Sequence, residues 1–130
     1  MSPASLWMTL GAVGGLLTVA LGAFGAHGLK GRVDPALLAN WNTAADYLGL
    51  HALAILACGL TLLHRPEAGL VNWAGWAFLV GVCLFSGSLF AMTLTGLRQL
   101  GMITPIGGVL LILAWALLAV GAARLGSPAP

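Results

Sequence analysis

Charge is what this chain has least of. Five Lys or Arg and three Asp or Glu make up 6% of its 130 residues, where an ordinary globular domain carries about a quarter. Eight charges cannot wet the surface of a soluble domain of this size, so that class is excluded. The five cations are scattered and form no patch, which excludes a nucleic-acid binder. Two cysteines, Cys58 and Cys83, both lie inside apolar runs; they exclude a disulfide scaffold, and free, packed thiols are expected. The start of the chain lacks the positive charge of a secretory signal despite the small-residue run at Ala23–Ala26, so the first apolar stretch is expected to remain as a span. No phosphate loop, dinucleotide fingerprint, zincin motif or Ser-His-Asp order is present, and no catalytic residue is assigned. His27, His51 and Asp46 are the only credible metal ligands; they fall short of the convergent set of three or four a metal needs, so no metal and no cofactor is expected.

What the chain has instead is apolar length. It is 60% hydrophobic with a mean hydropathy of +1.03. One membrane span takes about 20 apolar residues, so the chain accommodates four. The expected fold is all-α, an antiparallel bundle of four transmembrane helices forming one domain over 1–130. The spans are placed at 5–26, 41–63, 73–94 and 104–123. Such a chain is a multi-pass inner-membrane protein whose first partners are membrane lipids. The loops are HGLKGRVD, HRPEAGLVN and the segment Thr95–Gly101, and the tail RLGSPAP is expected to be loose. Lys30, Arg32 and Arg98 fall on one face of the membrane, here side two, and Arg65 and Arg124 on the other, side one. That count favours side two as cytoplasmic. Trp7, Trp73 and Trp76 fall near side one and Trp41 near side two, as interfacial tryptophans do.

Glycine is abundant and patterned. At about 100° per residue, Gly11, Gly14, Gly15, Thr18, Gly22 and Gly25 fall on one stripe of the first span. Small residues in a row let helix backbones approach closely. Gly11, Gly15, Gly22, Gly25, Gly81, Gly87, Gly107 and Gly108 are therefore expected at helix seams.

The most unusual stretch is Trp41–Leu63, which carries Asp46, Tyr47 and His51 in its first half. Polar groups in hydrocarbon are costly and normally face a bundle interior or a cavity. Thr43, Tyr47, His51, Ala54 and Cys58 share a helix face, whereas Asp46 lies about 140° from His51 and is expected to meet Lys30, Arg32 or Arg98 at the boundary. His51 is expected about 10 Å in from side two, level with Ser86 and Ser88 of the third span. Most buried polar groups are thus gathered in one leaflet.

The segments GAFGAHGL (Gly22–Leu29), TAADYLGLHAL (Thr43–Leu53), LFSGSLFAMTLTG (Leu84–Gly96) and LGMITPIGG (Leu100–Gly108) closely resemble the YgdD/YwdK family, small membrane proteins grouped as domain of unknown function 423. The match covers all four spans in order. The resemblance implies a four-span inner-membrane protein with no established activity. His27, Thr43, Tyr47, His51, Ser86, Ser88 and Thr104 match the family pattern and form the candidate ligand site. Three functions are weighed, the first two non-enzymatic and preferred to the third, an enzyme of lipid-directed chemistry using His51 and Ser88. In the first, a polar pocket around His51 binds or helps move a small polar ligand, a proton or ion, or a lipid headgroup. In the second, the glycine seams pack against another copy or another membrane protein.

Overall fold

The computed structural model describes residues 1–126. Four long helices account for nearly all of them: α1 (Pro3–Phe24), α2 (Pro35–His64), α3 (Gly69–Thr95) and α4 (Thr104–Arg124). Among the described residues there is no strand, and all four helices are long and apolar enough to cross a membrane. The starts follow local chemistry. Ser2 Oγ accepts the Ser5 amide at 3.1 Å and Asp34 Oδ1 accepts the Ala36 amide at 3.1 Å, each with proline opening the helix that follows. α3 stops at Gly96, whose φ of 73° is a left-handed cap suited to glycine. All but the first residues of the tail RLGSPAP lie outside the described residues.

The principal contacts run α1 to α2, α2 to α3 and α3 to α4. α2 and α3 form the buried centre and α1 and α4 flank them. Among the largest fully buried side chains, Trp7, Phe78, Val71 and Cys58 pack into one core cluster to which all four helices contribute. Trp7 donates its indole N–H to Asn72 Oδ1 at 2.8 Å and stands edge-on to Trp76. Cys83, by contrast, is exposed on the lipid side of α3 rather than packed inside.

Close backbone approach sets the seams. A Cβ on Gly11 would stand 2.7 Å from the Leu56 nitrogen, and one on Gly59 2.6 Å from the Met8 nitrogen. On the α3–α4 side, a Cβ on Gly107 would collide with the Phe85 backbone nitrogen and stand 2.7 Å from the Gly81 oxygen, while Gly81 itself faces Leu111. Gly25 makes room for the Trp41 ring, 2.6 Å from its would-be Cβ. Gly15, Gly22 and Gly87 have no such neighbour within 4 Å, and Gly108 meets Phe85 only at ordinary contact distance. These four glycines do not form the expected internal seam. The small-residue stripe is wider than the line along which two helices touch, so only its centre is used.

Two boundary expectations also change. His27 belongs to no loop: α1 continues as a wide π turn over Gly25–Leu29. There the Trp41 indole N–H donates to the Leu21 carbonyl at 2.8 Å, a partner taken from the last turns of α1. Asp46 is exposed and has no ion pair among the described residues; Arg98 reaches Asp34 instead, at 3.8 Å. On side one, Arg65 pairs with Glu67 and also donates to the Leu125 carbonyl at 2.6 Å, tying the α2–α3 turn to the end of α4.

Candidate functional site

His51 is the seventeenth of the 30 residues of α2, and it is buried. Helical spacing puts it on the side of α2 that looks across α3 towards α4. Its Nδ1 lies 2.7 Å from the Tyr47 carbonyl oxygen, one turn back along α2. Its Nε2 lies 3.1 Å from the indole nitrogen of Trp115 on α4. A carbonyl only accepts and an indole N–H only donates. The two partners together therefore define one state of the ring: neutral, with the proton on Nδ1 and the Nε2 lone pair filled by Trp115. Phe78 packs on the imidazole from α3 with a centroid separation of 5.8 Å, and Phe78 and Trp115 meet edge-to-face at 4.9 Å.

Trp115 is the twelfth of the 21 residues of α4. The His51–Trp115 pair therefore lies near the midpoint of both helices. Trp115 itself was not legible as part of the site. The available signal is that a tryptophan in mid-span, far from the interfaces where tryptophan usually sits, needs an acceptor for its indole N–H.

Beside this pair runs a groove of about 480 Å³ between α2 and α4, lined among others by Tyr47, His51, Phe85, Gly108, Ile112 and Trp115. Its lining is mostly apolar, and Tyr47, His51 and Trp115 are the lining residues that carry polar side-chain atoms. Tyr47 stacks on Phe85 with centroids 4.2 Å apart and planes 22° apart, so part of the wall is a flat aromatic face.

Of the seven candidate ligand residues, only Tyr47 and His51 line this groove. Tyr47 and His51 stack through their rings, centroids 5.7 Å apart, and the bond between them uses the Tyr47 backbone carbonyl. Ser86 is turned into the α2–α3 seam and donates to the Ala44 carbonyl at 2.8 Å. Ser88 donates to the Phe85 carbonyl at 2.9 Å and lies 2.6 Å from the Thr104 hydroxyl, which ties α3 to the start of α4. Thr93 bridges α3 to the Leu37 carbonyl at 3.1 Å in the same way. His27 and Thr43 are exposed and stand apart from the groove. Ser86, Ser88, Thr93 and Thr104 thus spend their bonds on neighbouring backbone or on one another, which is how buried polar groups avoid the cost of going unpaired. No group of three metal-ligating side chains comes together among the described residues.

A family model described as "Protein of unknown function (DUF423)" matches residues 21–108. Among similar proteins, a UPF0382 membrane protein of Staphylococcus aureus is 44% identical over 88% of this chain and 93% of its own length. The UPF0382 membrane protein YwdK of Bacillus subtilis is 40% identical over 92% of this chain and 97% of its own. A UPF0382 membrane protein of Schizosaccharomyces pombe is 43% identical over 89% and 99%. No solved structure matches.

Proposed function

The chain belongs to the DUF423 family of membrane proteins, and from that premise we propose that it binds a membrane lipid, one chain of which lies in the groove between α2 and α4. The observation that carries this reading is the groove itself: apolar, at membrane depth, and lined along α4 from Pro105 to Trp115. Ten residues of helix rise about 15 Å, half of a hydrocarbon core of about 30 Å. The groove therefore matches one chain of one leaflet. Of the ligands expected from the sequence, lipid fits best. A free ion or small polar molecule would need open hydrogen-bonding groups, and the nitrogens of His51 and the hydroxyls of Ser86 and Ser88 are already engaged. We assign the inner membrane, with the Lys30 and Arg98 loops cytoplasmic.

Gly108→Leu tests the reading. A Cβ at this position meets Phe85 only at ordinary contact distance, and Gly108 lines the groove. Lipid retained through detergent purification, counted by native mass spectrometry, is expected to fall at least about fivefold, the loss of roughly 1 kcal/mol of binding. The melting temperature is expected to hold. Unchanged lipid retention in a folded variant would refute the proposal.

A second reading, assembly with another membrane helix, is favoured by Gly15 and Gly22, which have open space beside them in this chain. Gly15→Leu is then expected to abolish a crosslinked species seen for the unaltered protein in native membranes. An identical crosslinking pattern would count against assembly.

A further inference from the structure

We propose that the outward face of α2 docks a membrane helix of a different protein, one that carries a Lys or Arg opposite Asp46. This goes beyond the lipid groove and does not rest on it, since Asp46 is not among the groove's lining residues. It starts from an exposed carboxylate within an apolar belt. Asp46 lies twelve residues beyond Asp34, about 18 Å along the helix axis. The bonds and contacts between helices fix which residues stand level with it. Ser86 of α3 donates to the Ala44 carbonyl, and Trp41 donates to the Leu21 carbonyl of α1. Gly49 lies against Thr18, and Gly107 of α4 lies against Phe85, the neighbour of Ser86. Asp46 is therefore level with the stretch of α1 between Thr18 and Leu21 and with the first turns of α4. There α1 exposes Val19, at 74%, and α4 exposes Ile106 and Val109. Nearer side two, Phe24, Leu94 and Met102 are exposed as well. Apolar side chains thus stand in the open at this level and beyond it, yet α2 presents a carboxylate there. A carboxylate facing acyl chains is costly.

The face around Asp46 is spaced for helix packing. Ala39, Thr43, Asp46, Leu50, Leu53 and Ala57 are all exposed and recur at alternating intervals of four and three, the spacing along which one helix lies on another. Its small members let backbones approach closely, and one polar residue within such a seam fixes the register of the partner. The partner's chemistry follows from charge. A carboxylate only accepts hydrogen bonds, and Lys and Arg are its strongest donors. This chain offers it neither. Among the described residues Arg98 reaches Asp34 and Arg65 pairs with Glu67, each at an end of the bundle. A second copy supplies no cation either. Two copies related by an axis along the membrane normal bring equal levels together. Lys30, Arg32 and Arg98 then stay at the side-two end and Arg65 and Arg124 at the side-one end, so Asp46 would face its own like charge. Amine-bearing phospholipid heads stay at the surface. A basic residue on another spanning helix supplies both the charge and the level.

The experiment uses the full chain in phosphatidylcholine vesicles with two synthetic spanning helices, each of about 20 leucine and alanine residues. One carries a single Lys one turn off centre; the other carries Gln at the same place. Association is read as energy transfer between the labelled chain and the labelled helix. The Lys helix is expected to bind about fivefold to tenfold more tightly than the Gln helix, the worth of one charge-assisted bond between helices. Asp46→Asn keeps the size of the side chain and removes its charge, so it is expected to bring the two helices to equal affinity. Ala57→Trp, on the same face, holds the helices apart and is expected to weaken the Lys helix by about fivefold or more. Equal affinity of the two helices for the unaltered protein overturns the proposal, as does a preference for Lys that survives Asp46→Asn. Self-association that Asp46→Asn abolishes, with no preference for the Lys helix, assigns the face to a second copy and overturns it too. Should Asp46→Asn fail to fold, the Lys–Gln ratio and Ala57→Trp decide alone.

Discussion

Trp7→Ala is expected to destabilise the folded protein by about 3 kcal/mol. The indole is fully buried where α1 meets α3, and its ring lies against Gly75, whose would-be Cβ is 2.6 Å from it. Because Gly75 has no side chain to follow, the slot left by alanine stays open. In lipid the transfer of apolar surface from water contributes little to helix association. What alanine loses is packing contact, together with the hydrogen bond to Asn72 Oδ1. The unpaired amide then adds its own cost, roughly 1–3 kcal/mol when buried. The measurement is reversible unfolding in mixed micelles; a loss below about 1 kcal/mol would show that the slot collapses. Trp7→Phe, which keeps most of the ring but not the N–H, is expected to fall between the two and so divides packing from hydrogen bonding.

Gly107→Val is expected to cost about 3 kcal/mol as well, for the opposite reason. Here nothing is removed; bulk is driven into a seam with no give. The atoms a Cβ would meet are the Phe85 backbone nitrogen and the Gly81 carbonyl oxygen. Backbone inside a hydrogen-bonded helix cannot rotate away as a side chain can, so α4 has to move off α3, and overpacking of this kind costs roughly 1–3 kcal/mol or more. The shift would also stretch the Ser88–Thr104 bond that joins the same two helices. The checks are the melting temperature in detergent and proteolysis of the α3–α4 connection, which is expected to become faster. The contrast is a glycine on α3, two residues from Phe85: Gly87→Val, facing open space, is expected to change the melting temperature little.

These two substitutions mark what periodicity can and cannot deliver. Hydropathy and the shortage of charge place four helices and their order, because each span must satisfy its own backbone hydrogen bonds in lipid and so must be a helix wherever the chain is apolar for long enough. The caps at Ser2, Asp34 and Gly96 are local in a similar way, since each bond or backbone angle involves neighbours a few positions away. Which glycines touch another helix was not readable. Gly11 and Gly15 belong to the same stripe, but one lies on the line of contact and the other on its flank, and that line depends on how α1 crosses α2. Asp46 shows the same limit for charge. Its nearest cations along the chain are at the same membrane face, yet Arg98 goes to Asp34, because the turn after α3 sets where its side chain can reach.

The candidate site divides likewise. That His51 was costly in hydrocarbon and needed partners followed from its chemistry alone. That one partner would be the carbonyl of Tyr47 was within reach of helix geometry, since four residues bring the two together. That the other would be Trp115, 64 positions away, depended on α4 lying across α3 at one rotation rather than another. The serines and threonines looked like a cluster because they share a depth; the packing turned Ser86, Ser88 and Thr93 to three different backbone carbonyls and left Thr104 on the Ser88 hydroxyl.

The amino-acid sequence by itself determined a four-span helical membrane protein, since lipid forces any long uncharged stretch to bond within itself. Only the tertiary structure decided which side chains face each other. The rotation and crossing of packed helices depend on contacts between distant positions, and it is those that lock the imidazole under an indole and open an oily groove beside it.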